Sequence, residues 1–270
     1  MSTSLKYRIG FDAGGTRVED ALAFAARNSF HYVDFNADRG PNDLRRWDGE
    51  RVAAFRARCD ADDLHVGVHT LSGVNVAEFS PFASEGVDRY LEANVDLATR
   101  LGCEWVVVHA GFHFSAAETA RKEAALERLK RLTGYAERHG ARLLLENLNR
   151  EPNNAEVHYQ AFDIGECRYF FDAISSDAFG WAFTVNHANL VPERTEGFVD
   201  ELGIGRIGEV RLADNTGEYE VHLLPGEGNI DFGAVFGLIE GAGYTGHYSM
   251  AFGTEDEKVA ARDSLAMLVP

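Results

Sequence analysis

The stretch Leu143-Leu144-Leu145-Glu146-Asn147 is a short apolar run that ends in a carboxylate and an amide. Continuous apolar runs of this length are typical of strands that are buried on both faces of a parallel sheet. In a parallel barrel, the carboxyl end of each strand opens onto the face where chemistry is performed. The stretch therefore predicts a buried strand that carries Glu146 to a functional site, as a metal ligand or as an acid/base.

Strand-like and helix-like segments alternate on both sides of this stretch. We predict strands at 7–12, 31–36, 64–70, 104–110, 142–147, 180–187, 207–214 and 247–252. Segments with helical apolar spacing follow them, such as 84–101, which ends before Gly102. Buried strands that each precede a helix favour an α/β fold of the (β/α)8 TIM-barrel type over an open sheet. The 270 residues fit one such barrel, so we expect a single domain over 1–270.

Composition excludes several classes of protein. The formal net charge of −17 argues against binding to nucleic acid or to anionic membranes. The longest apolar runs are far shorter than the roughly 18 residues of a membrane span, and the polar amino terminus does not resemble a signal peptide. Three widely spaced cysteines, Cys59, Cys103 and Cys167, indicate reduced thiols. We therefore expect a cytoplasmic protein.

The acidity of the chain has two explanations that the sequence leaves open. Only four of the 26 basic residues are lysine, and the rest are arginine. An acidic excess with few lysines suits a salt-rich cytoplasm, where surface carboxylates hold water and cations. An ordinary acidic protein encoded by a GC-rich genome has the same composition.

Polar side chains stand at the carboxyl ends of the predicted strands. They are Asp12, Asn36, His69, His109, Glu146 with Asn147, His187, and Arg211 with Asp214, and the next loop adds Glu220, His222 and Glu227. A lone histidine at such a position is more often structural than catalytic. Four of the ten histidines occur in this set beside a strand-end glutamate. We therefore expect a shared functional site.

These residues stand in motifs that resemble the sugar phosphate isomerase/epimerase superfamily, the xylose isomerase-like barrels that also include endonuclease IV. The motifs include Gly67-Val68-His69-Thr70, Val106–Gly111, Leu144–Asn147, Val185–Ala188, Val210–Asn215, His222–Phe232 and Gly243–Gly246. The most specific is His-x-x-Pro-Gly-Glu-Gly-x-Ile-Asp-Phe at 222–232. The resemblance spans nearly the whole chain and implies a TIM barrel that acts on a keto sugar or a sugar-derived small molecule.

The resemblance also implies a divalent metal such as Mn²⁺ or Mg²⁺. In single-metal members the ligands are Glu, Asp, His and Glu, after strands five to eight, and the two glutamates move a proton between adjacent carbons. Glu146 matches the first ligand, but the other three positions are Thr184, Arg211 and Ala251. Arginine is always protonated and alanine has no donor atom. We therefore expect this metal site and the second catalytic carboxylate to be absent.

Two other clusters match the polynuclear, endonuclease-like members. One consists of His69, His109 and Glu146, and the other of His187, Glu220 and His222, with Glu220 replacing an aspartate. Three N/O ligands with an open position suit Zn²⁺ or Mn²⁺. Sugar-isomerase relatives also keep these histidines for substrate binding or structure without a metal. We favour that second interpretation, so no cofactor is expected, although a divalent metal stays possible.

Arg211 suggests how such a site works without the central metal. Its guanidinium is suited to binding a phosphate, a carboxylate or an enolate oxygen in a bidentate way. We then expect Glu146 to act as general acid or base with His187 or His222 as proton partner. His69, His109, His222, Asp214 and Asn147 complete the predicted substrate-binding set. The alternative is an Arg211–Glu146 pair that closes a dead site.

Three functions are therefore compatible with the sequence. The favoured one is an isomerase, an epimerase or a related lyase of a small sugar substrate, with turnover that resists EDTA. The second is an endonuclease IV-like phosphodiesterase, which the negative charge and the lost central ligands oppose. The third is a catalytically silent sugar-binding barrel. Relatives are often oligomers, so a homo-oligomer is a further expectation, and no nucleic-acid or membrane partner is expected.

Overall fold

The computed structural model describes residues 4–268, which contain a closed barrel of eight parallel strands and a separate two-stranded sheet. In chain order the strands are β1 (Ile9–Asp12), β2 (Tyr32–Phe35), β3 (His65–His69), β4 (Val106–Val108), β5 (Phe112–Phe114), β6 (Leu143–Glu146), β7 (Val157–Tyr159), β8 (Phe179–Thr184), β9 (Ile207–Leu212) and β10 (His247–Met250). The barrel closes in the order β1-β10-β9-β8-β6-β4-β3-β2, and β5 pairs antiparallel with β7. The predicted (β/α)8 TIM barrel is confirmed.

Helices surround the barrel. They are α1 (Leu5–Arg8), α2 (Val18–Arg27), α3 (Gly49–Asp62), α4 (Pro81–Leu101), α5 (Glu118–His139), α6 (Ile164–Phe171), α7 (Val185–Ala188), α8 (Arg194–Leu202), α9 (Phe232–Gly241) and α10 (Glu255–Leu265). Their bounds follow local chemistry: Asp48 caps α3 through the Arg51 amide, and Thr254 with Glu257 forms a capping box on α10. Gly102 ends α4 with a positive φ of 74°. None of the helices within residues 4–268 is long and apolar enough to cross a bilayer.

Two predicted strands include residues that are helical in the structure. Residues 5–8, partly assigned to the first strand, form α1, because Ser4 caps this turn through the Tyr7 amide. The predicted strand 180–187 was too long, since β8 ends at Thr184 and the next four residues form α7. The Asn147 side chain accepts the Thr184 amide proton at 2.9 Å, so it occupies this amide where the strand ends. His187 therefore lies on a helical turn rather than on a strand.

The inside of the barrel is unusually polar because alternate strand residues point inward. On β9 the inward residues are Glu209 and Arg211, and on β2 they are Tyr32 and Asp34, all buried. Gly67 on β3 provides the space for them, since a Cβ there would lie 2.2 Å from Asp34 Oδ1. Leucine, valine and phenylalanine side chains pack between the strands and the helices instead. The barrel interior is thus a charged layer under the strand ends, enclosed by an apolar shell.

Candidate active site

A cavity of about 320 Å³ opens at the carboxyl ends of the barrel strands. Its lining includes Asp12, Asn36, His69, His109, Glu146, Tyr159, Thr184, Asn186, His187, Arg211, His222, Ala251 and Phe252. Six of the predicted site residues are therefore brought together, namely Glu146, His187, Arg211, His69, His109 and His222. The strands of a parallel barrel end at one mouth, which is why residues so distant in the chain meet there.

Glu146 lies on the floor of this cavity, and its two carboxylate oxygens have different partners. Oε2 is 3.2 Å from His109 Nε2 and 3.3 Å from His69 Nε2, while Oε1 accepts the Thr184 hydroxyl at 2.6 Å. Burial alone would raise the pKa of Glu146. The hydrogen bonds from His109 and His69 and the charge of Arg211 outweigh burial and hold that pKa well below its usual range. Glu146 is therefore an ionised carboxylate at neutral pH.

His69 and His109 present the same ring atom to Glu146. The His69 Nδ1 group donates to Asp12 Oδ2 at 3.1 Å, and His109 Nδ1 lies 3.4 Å from the Thr70 hydroxyl. Both Nε2 atoms consequently face Glu146 Oε2, and they lie 3.1 Å apart. Burial lowers the pKa of His109. Burial and Arg211 also act to lower the pKa of His69, but hydrogen bonds to Asp12 and Glu146 raise it to about 9.

Arg211 is engaged with carboxylates of the protein itself. Nη1 donates to Asp34 Oδ2 and to Glu209 Oε1 at 2.7 Å each, and Nη2 donates to Asp12 Oδ2 at 2.6 Å. The expected contact with Glu146 exists but is longer, at 3.8 Å from Nε. The side chain is 3% exposed. Arg211 thus borders the cavity with its charge already matched, which leaves it few free N–H groups for a bidentate substrate anion.

His187 is held by the segment that follows Glu146. Its Nδ1 donates to the Asn147 carbonyl oxygen at 2.8 Å, so the neutral ring keeps its lone pair on Nε2. Nδ1 is also 3.7 Å from Glu146 Oε1, which places the two groups side by side. His222 lies on the other side of His187, with ring centroids 6.4 Å apart, and packs on Phe252 at 4.2 Å.

Two predicted substrate-binding residues do not line the cavity. The Asp214 carboxylate is buried and accepts the amide protons of Asn215, Gly226, Gly228 and Ile230. The Asn147 side chain accepts from Trp181 Nε1 and from the Thr184 amide, and donates to the Thr184 carbonyl. Both residues hold the loops that carry His187 and His222. Asp214 and Asn147 are therefore positioning residues, because their polar side-chain atoms are hydrogen-bonded to other groups of the protein.

Asp34, Glu209 and Tyr32 are buried polar neighbours of the site that the sequence did not predict, and they join Asp12, which the strand-end pattern did predict. The Tyr32 hydroxyl is hydrogen-bonded to Asp34 Oδ1 and lies 2.8 Å from Glu209 Oε2. Burial and the nearby Glu209 raise the pKa of Asp34 well above its usual value. Period-two alternation in Ile207–Leu212 was the available clue, since it places Glu209 and Arg211 on the same inward face.

Two parts of the site differ in how well they suit the divalent metal that the resemblance implies. At the four-ligand position, Thr184 donates to Glu146, Arg211 supplies a cation, and Ala251 has no donor atom, so these residues do not fit a metal. The atoms His69 Nε2, His109 Nε2 and Glu146 Oε2 do fit, with separations of 3.1, 3.2 and 3.3 Å. Tetrahedral ligands at about 2.0–2.1 Å from Zn²⁺ stand roughly 3.3 Å apart. His187, Glu220 and His222 form a second, looser group.

The closed barrel and the polar cavity at its strand ends define a TIM-barrel protein with a candidate active site in the usual place. A family model described as xylose isomerase-like TIM barrel matches residues 22–270. The chain belongs to this family.

Known proteins resemble this chain at low sequence identity. An uncharacterized protein of Methanocaldococcus jannaschii is 29% identical over 198 residues, which is 71% of this chain and 65% of that protein. The crystal structure of a D-tagatose 3-epimerase-like protein has a TM-score of 0.84 at 21% identity and 97% coverage of both chains. D-psicose 3-epimerase from Clostridium cellulolyticum H10, solved with D-tagatose, has a TM-score of 0.77 at 14% identity, covering 97% of this chain and 99% of that chain. At such identities the structural likeness is one of fold.

Proposed function

We propose that this protein is an isomerase or epimerase of a keto sugar or a sugar-derived small molecule, with Glu146 as the general acid/base. The observation that carries the proposal is that the two oxygens of the Glu146 carboxylate have different partners. Oε2 is directed at His69 and His109, whereas Oε1, within residues 4–268, has the Thr184 hydroxyl as its one hydrogen-bond donor. Each carboxylate oxygen has two lone pairs, and Thr184 uses one of those on Oε1. The second lone pair is free to accept a proton from the substrate.

The cavity supports a small polyhydroxylated substrate. Asn36 and Asn186 supply amide groups at its rim, and Tyr159 and Phe252 supply aromatic surface. Small-molecule sites combine a few placed polar groups with such apolar walls. The epimerase structures that share this fold have sugar substrates in their names, which supports the same substrate class here.

The reaction begins with proton abstraction from the carbon beside the substrate carbonyl. Glu146 is ionised, so it accepts that proton, and it later returns the proton to the neighbouring carbon. Negative charge then develops on the substrate oxygens, near the corner where His69 lies. With its pKa of about 9, His69 carries a proton at neutral pH and stabilises this charge. Asp12 keeps the imidazole oriented by accepting its Nδ1 proton.

His187 is the proposed partner for protons on oxygen. Its Nδ1 is committed to the Asn147 carbonyl, which leaves Nε2 to exchange a proton with a substrate hydroxyl. Glu146 and His187 are neighbours on one side of the cavity, 3.7 Å apart. Epimerisation needs proton delivery to opposite faces of a carbon, and Ala251 stands where relatives supply a second glutamate. One base on one face favours aldose–ketose isomerisation over epimerisation.

We also propose that a divalent cation is held by His69, His109 and Glu146, in contrast to the metal-free site favoured from the sequence. Metal-ligating histidines usually donate their second ring nitrogen to another group, and Asp12 and the Thr70 hydroxyl are placed to accept from the two Nδ1 atoms here. Such a cation would polarise the substrate carbonyl and carry positive charge at the same corner. It would displace the His69 proton, and a divalent charge stabilises the developing oxyanion more strongly than the imidazolium does, so we expect turnover to depend on the cation.

The test is incubation of the protein in D₂O with a panel of ketohexoses, including D-tagatose and D-psicose, followed by NMR of the sugars. We expect deuterium at the carbon beside the carbonyl, together with an isomerised product. The protein dialysed against EDTA should lose this activity and regain it with Zn²⁺, Mn²⁺ or Mg²⁺. Deuterium incorporation that EDTA leaves unchanged would overturn the metal part alone. No exchange with any sugar or metal would favour a silent binding barrel.

A phosphodiesterase is the second candidate, favoured by the two neighbouring His/Glu groups, one of His69, His109 and Glu146 and the other of His187, Glu220 and His222. Paired metals are a common arrangement for phosphate-ester cleavage. The net charge of −17 opposes a nucleic-acid substrate. Hydrolysis of a small diester such as bis(p-nitrophenyl) phosphate by the Zn²⁺-loaded protein, without sugar exchange, would replace the isomerase proposal by this one.

A further inference from the structure

A third cluster of ligand-type side chains lies at the opposite end of the barrel from the cavity. His65 is the first residue of β3, His247 is the first residue of β10, and Glu104 precedes β4 by two residues. His65 Nδ1 is hydrogen-bonded to Glu104 Oε1, and His247 Nε2 lies 3.6 Å from Glu104 Oε2. One ligand atom from each residue lies within 4.8 Å of the others. The proposed chemistry at the strand ends uses none of these groups.

His247 has unused hydrogen-bonding capacity inside the protein. The residue is 9% exposed, and its Nδ1 atom is buried without a hydrogen-bond partner among the described residues. The ring cannot turn to solvent easily, because it stacks on Tyr32 with centroids 4.5 Å apart and 9° between the planes. The other ring nitrogen, Nε2, faces the Glu104 carboxylate at 3.6 Å, which is longer than a hydrogen bond. A buried imidazole that makes no hydrogen bond from Nδ1 and only this long contact from Nε2 is under-satisfied, which suggests that Nε2 takes a ligand beside Glu104 and His65.

We propose that His65, Glu104 and His247 bind a divalent transition-metal ion, with Zn²⁺ as the best match. Two imidazoles and one carboxylate are a familiar donor set for Zn²⁺. The 3.6 Å between His247 Nε2 and Glu104 Oε2 is close to the roughly 3.3 Å between tetrahedral zinc ligands, and one ligand atom of His65 lies within 4.8 Å of both other ligands.

The cluster also has an entry path. A surface cavity of about 350 Å³ is lined by His65 and Glu104, and the His65 side chain is 40% exposed. An ion can therefore reach the three ligands from solvent, and a water molecule completes the fourth position. An entry path and a complete coordination sphere are required of a metal site in addition to suitable ligands.

A metal bound by His65 and His247 would connect β3 and β10, two strands that do not pair with each other. In the barrel order, β1 and β2 separate β10 from β3 on the shorter way round. An ion bound by all three residues therefore bridges the amino-terminal mouth of the barrel and stabilises the folded state by mass action. Residues at this face of a TIM barrel generally serve stability rather than chemistry, so the site is structural.

The test is a Co²⁺ titration of the full chain, followed by the visible absorption of the bound ion. Because the cavity groups also attract metal, the titration uses a background variant, His109→Gln with His222→Gln, in which each of those groups lacks a ligand. We expect one tight equivalent of Co²⁺ to remain. Adding His65→Gln or Glu104→Gln should remove it or weaken it by about tenfold or more. His139→Gln removes a histidine from the exposed end of α5 and is the matched control.

Thermal unfolding gives an independent readout. Zn²⁺ should raise the Tm of the background variant and of its His139→Gln derivative, and should leave the Tm of the His65→Gln derivative unchanged. Since the His65 side chain is partly exposed, its replacement should not prevent folding, and Glu104→Gln serves as a second variant. A background variant that binds no Co²⁺, or a His65→Gln derivative that binds it as tightly, would overturn the proposal.

Discussion

Arg211 illustrates how the meaning of a residue depends on its neighbours. Its guanidinium donates to Asp12, Asp34 and Glu209, so it neutralises carboxylates that the barrel interior brings together. The sequence suggested a receptor for a substrate anion, but the structure surrounds this cation with anions of the protein. Through Asp12, Arg211 is connected to His69 and thereby to Glu146. We therefore assign it a positioning role in the proposed site.

A first prediction concerns the proton in this network. The Tyr32 hydroxyl faces both Asp34 and Glu209 but has one proton to donate. Because the pKa of Asp34 is raised, we predict that Asp34 holds a proton and donates it to Tyr32, so that the Tyr32 hydroxyl donates to Glu209. Asp34→Asn reproduces that pattern and should change the free energy of unfolding by less than about 1 kcal/mol at pH 7. Glu209→Gln leaves the Arg211 charge partly unpaired and should cost about 3–5 kcal/mol. Urea unfolding of the two variants measures both, and equal losses would contradict the assignment.

The same proton predicts a pH dependence. A carboxyl group whose pKa is higher in the folded than in the unfolded state stabilises the fold most below its unfolded pKa, near 3.9. That contribution is lost as the pH rises toward the folded pKa, which is raised here by burial and by Glu209. The stability of the wild type relative to Asp34→Asn should therefore fall from pH 4 to pH 8. A difference that rises over this range would show that Asp34 is ionised.

At the scale of elements, the sequence predicted the barrel strands because their apolar runs are local and periodic. It overextended β8, since Val185 and its neighbours retain a strand-like composition while α7 is set by Asn147, nearly forty residues earlier. The pair of β5 and β7 was also missed. These strands are three residues each and half-buried, and they exist only because two loops meet above the cavity.

A prediction at this scale concerns the loop after β9. The Asp214 carboxylate accepts four backbone amide protons from residues 215–230, and Gly228 packs so closely that a Cβ would lie 2.2 Å from Asp214 Oδ1. Asp214→Ala leaves these amides unpaired, at a cost of about 1–3 kcal/mol. We expect faster proteolytic cleavage within 215–230 and a lower kcat, because the loop carries His222.

Asp231→Ala is the matched control for that variant. Asp231 caps α9 through the Ala234 amide, so its loss should cost about 1 kcal/mol and leave the loop intact. Similar cleavage rates in the two variants would refute the assignment of Asp214 as the residue that holds the loop.

Ionisable side chains are clustered at both mouths of the barrel. The buried network of Asp34, Glu209 and Arg211 lies in the barrel interior between the two clusters. The position of polar residues at strand ends predicted Asp12, Asn36 and the six catalytic or substrate-binding residues that line the cavity, because all parallel strands end at one mouth. It could not predict that Asp12 joins Asp34 and Glu209 in one network, since that depends on which side of each strand faces inward. The cluster at the amino-terminal mouth was not predicted either, because its residues lie where strands begin. Cytoplasmic location and a homo-oligomer stay predictions.

Net charge gives a prediction for the whole molecule. With a formal charge of −17, the folded protein repels itself, and salt screens this repulsion. The Tm should rise by several degrees when KCl increases from about 0.05 M to about 1 M, where the Debye length falls to about 3 Å. Sucrose at equal osmolality is the control, since it does not screen charge. A Tm that is already maximal in dilute buffer would argue against adaptation to high salt.

The central claim is that Glu146 transfers the proton, and one measurement tests it most directly. Glu146→Gln keeps the shape of the side chain and removes its basic oxygen, so the rate of solvent deuterium incorporation into the sugar should fall by at least about 100-fold. Glu218→Gln makes the same change on an exposed residue of the loop after β9 and should retain the wild-type rate. A Glu146→Gln protein that folds, binds the sugar and still exchanges deuterium at the wild-type rate would contradict the account.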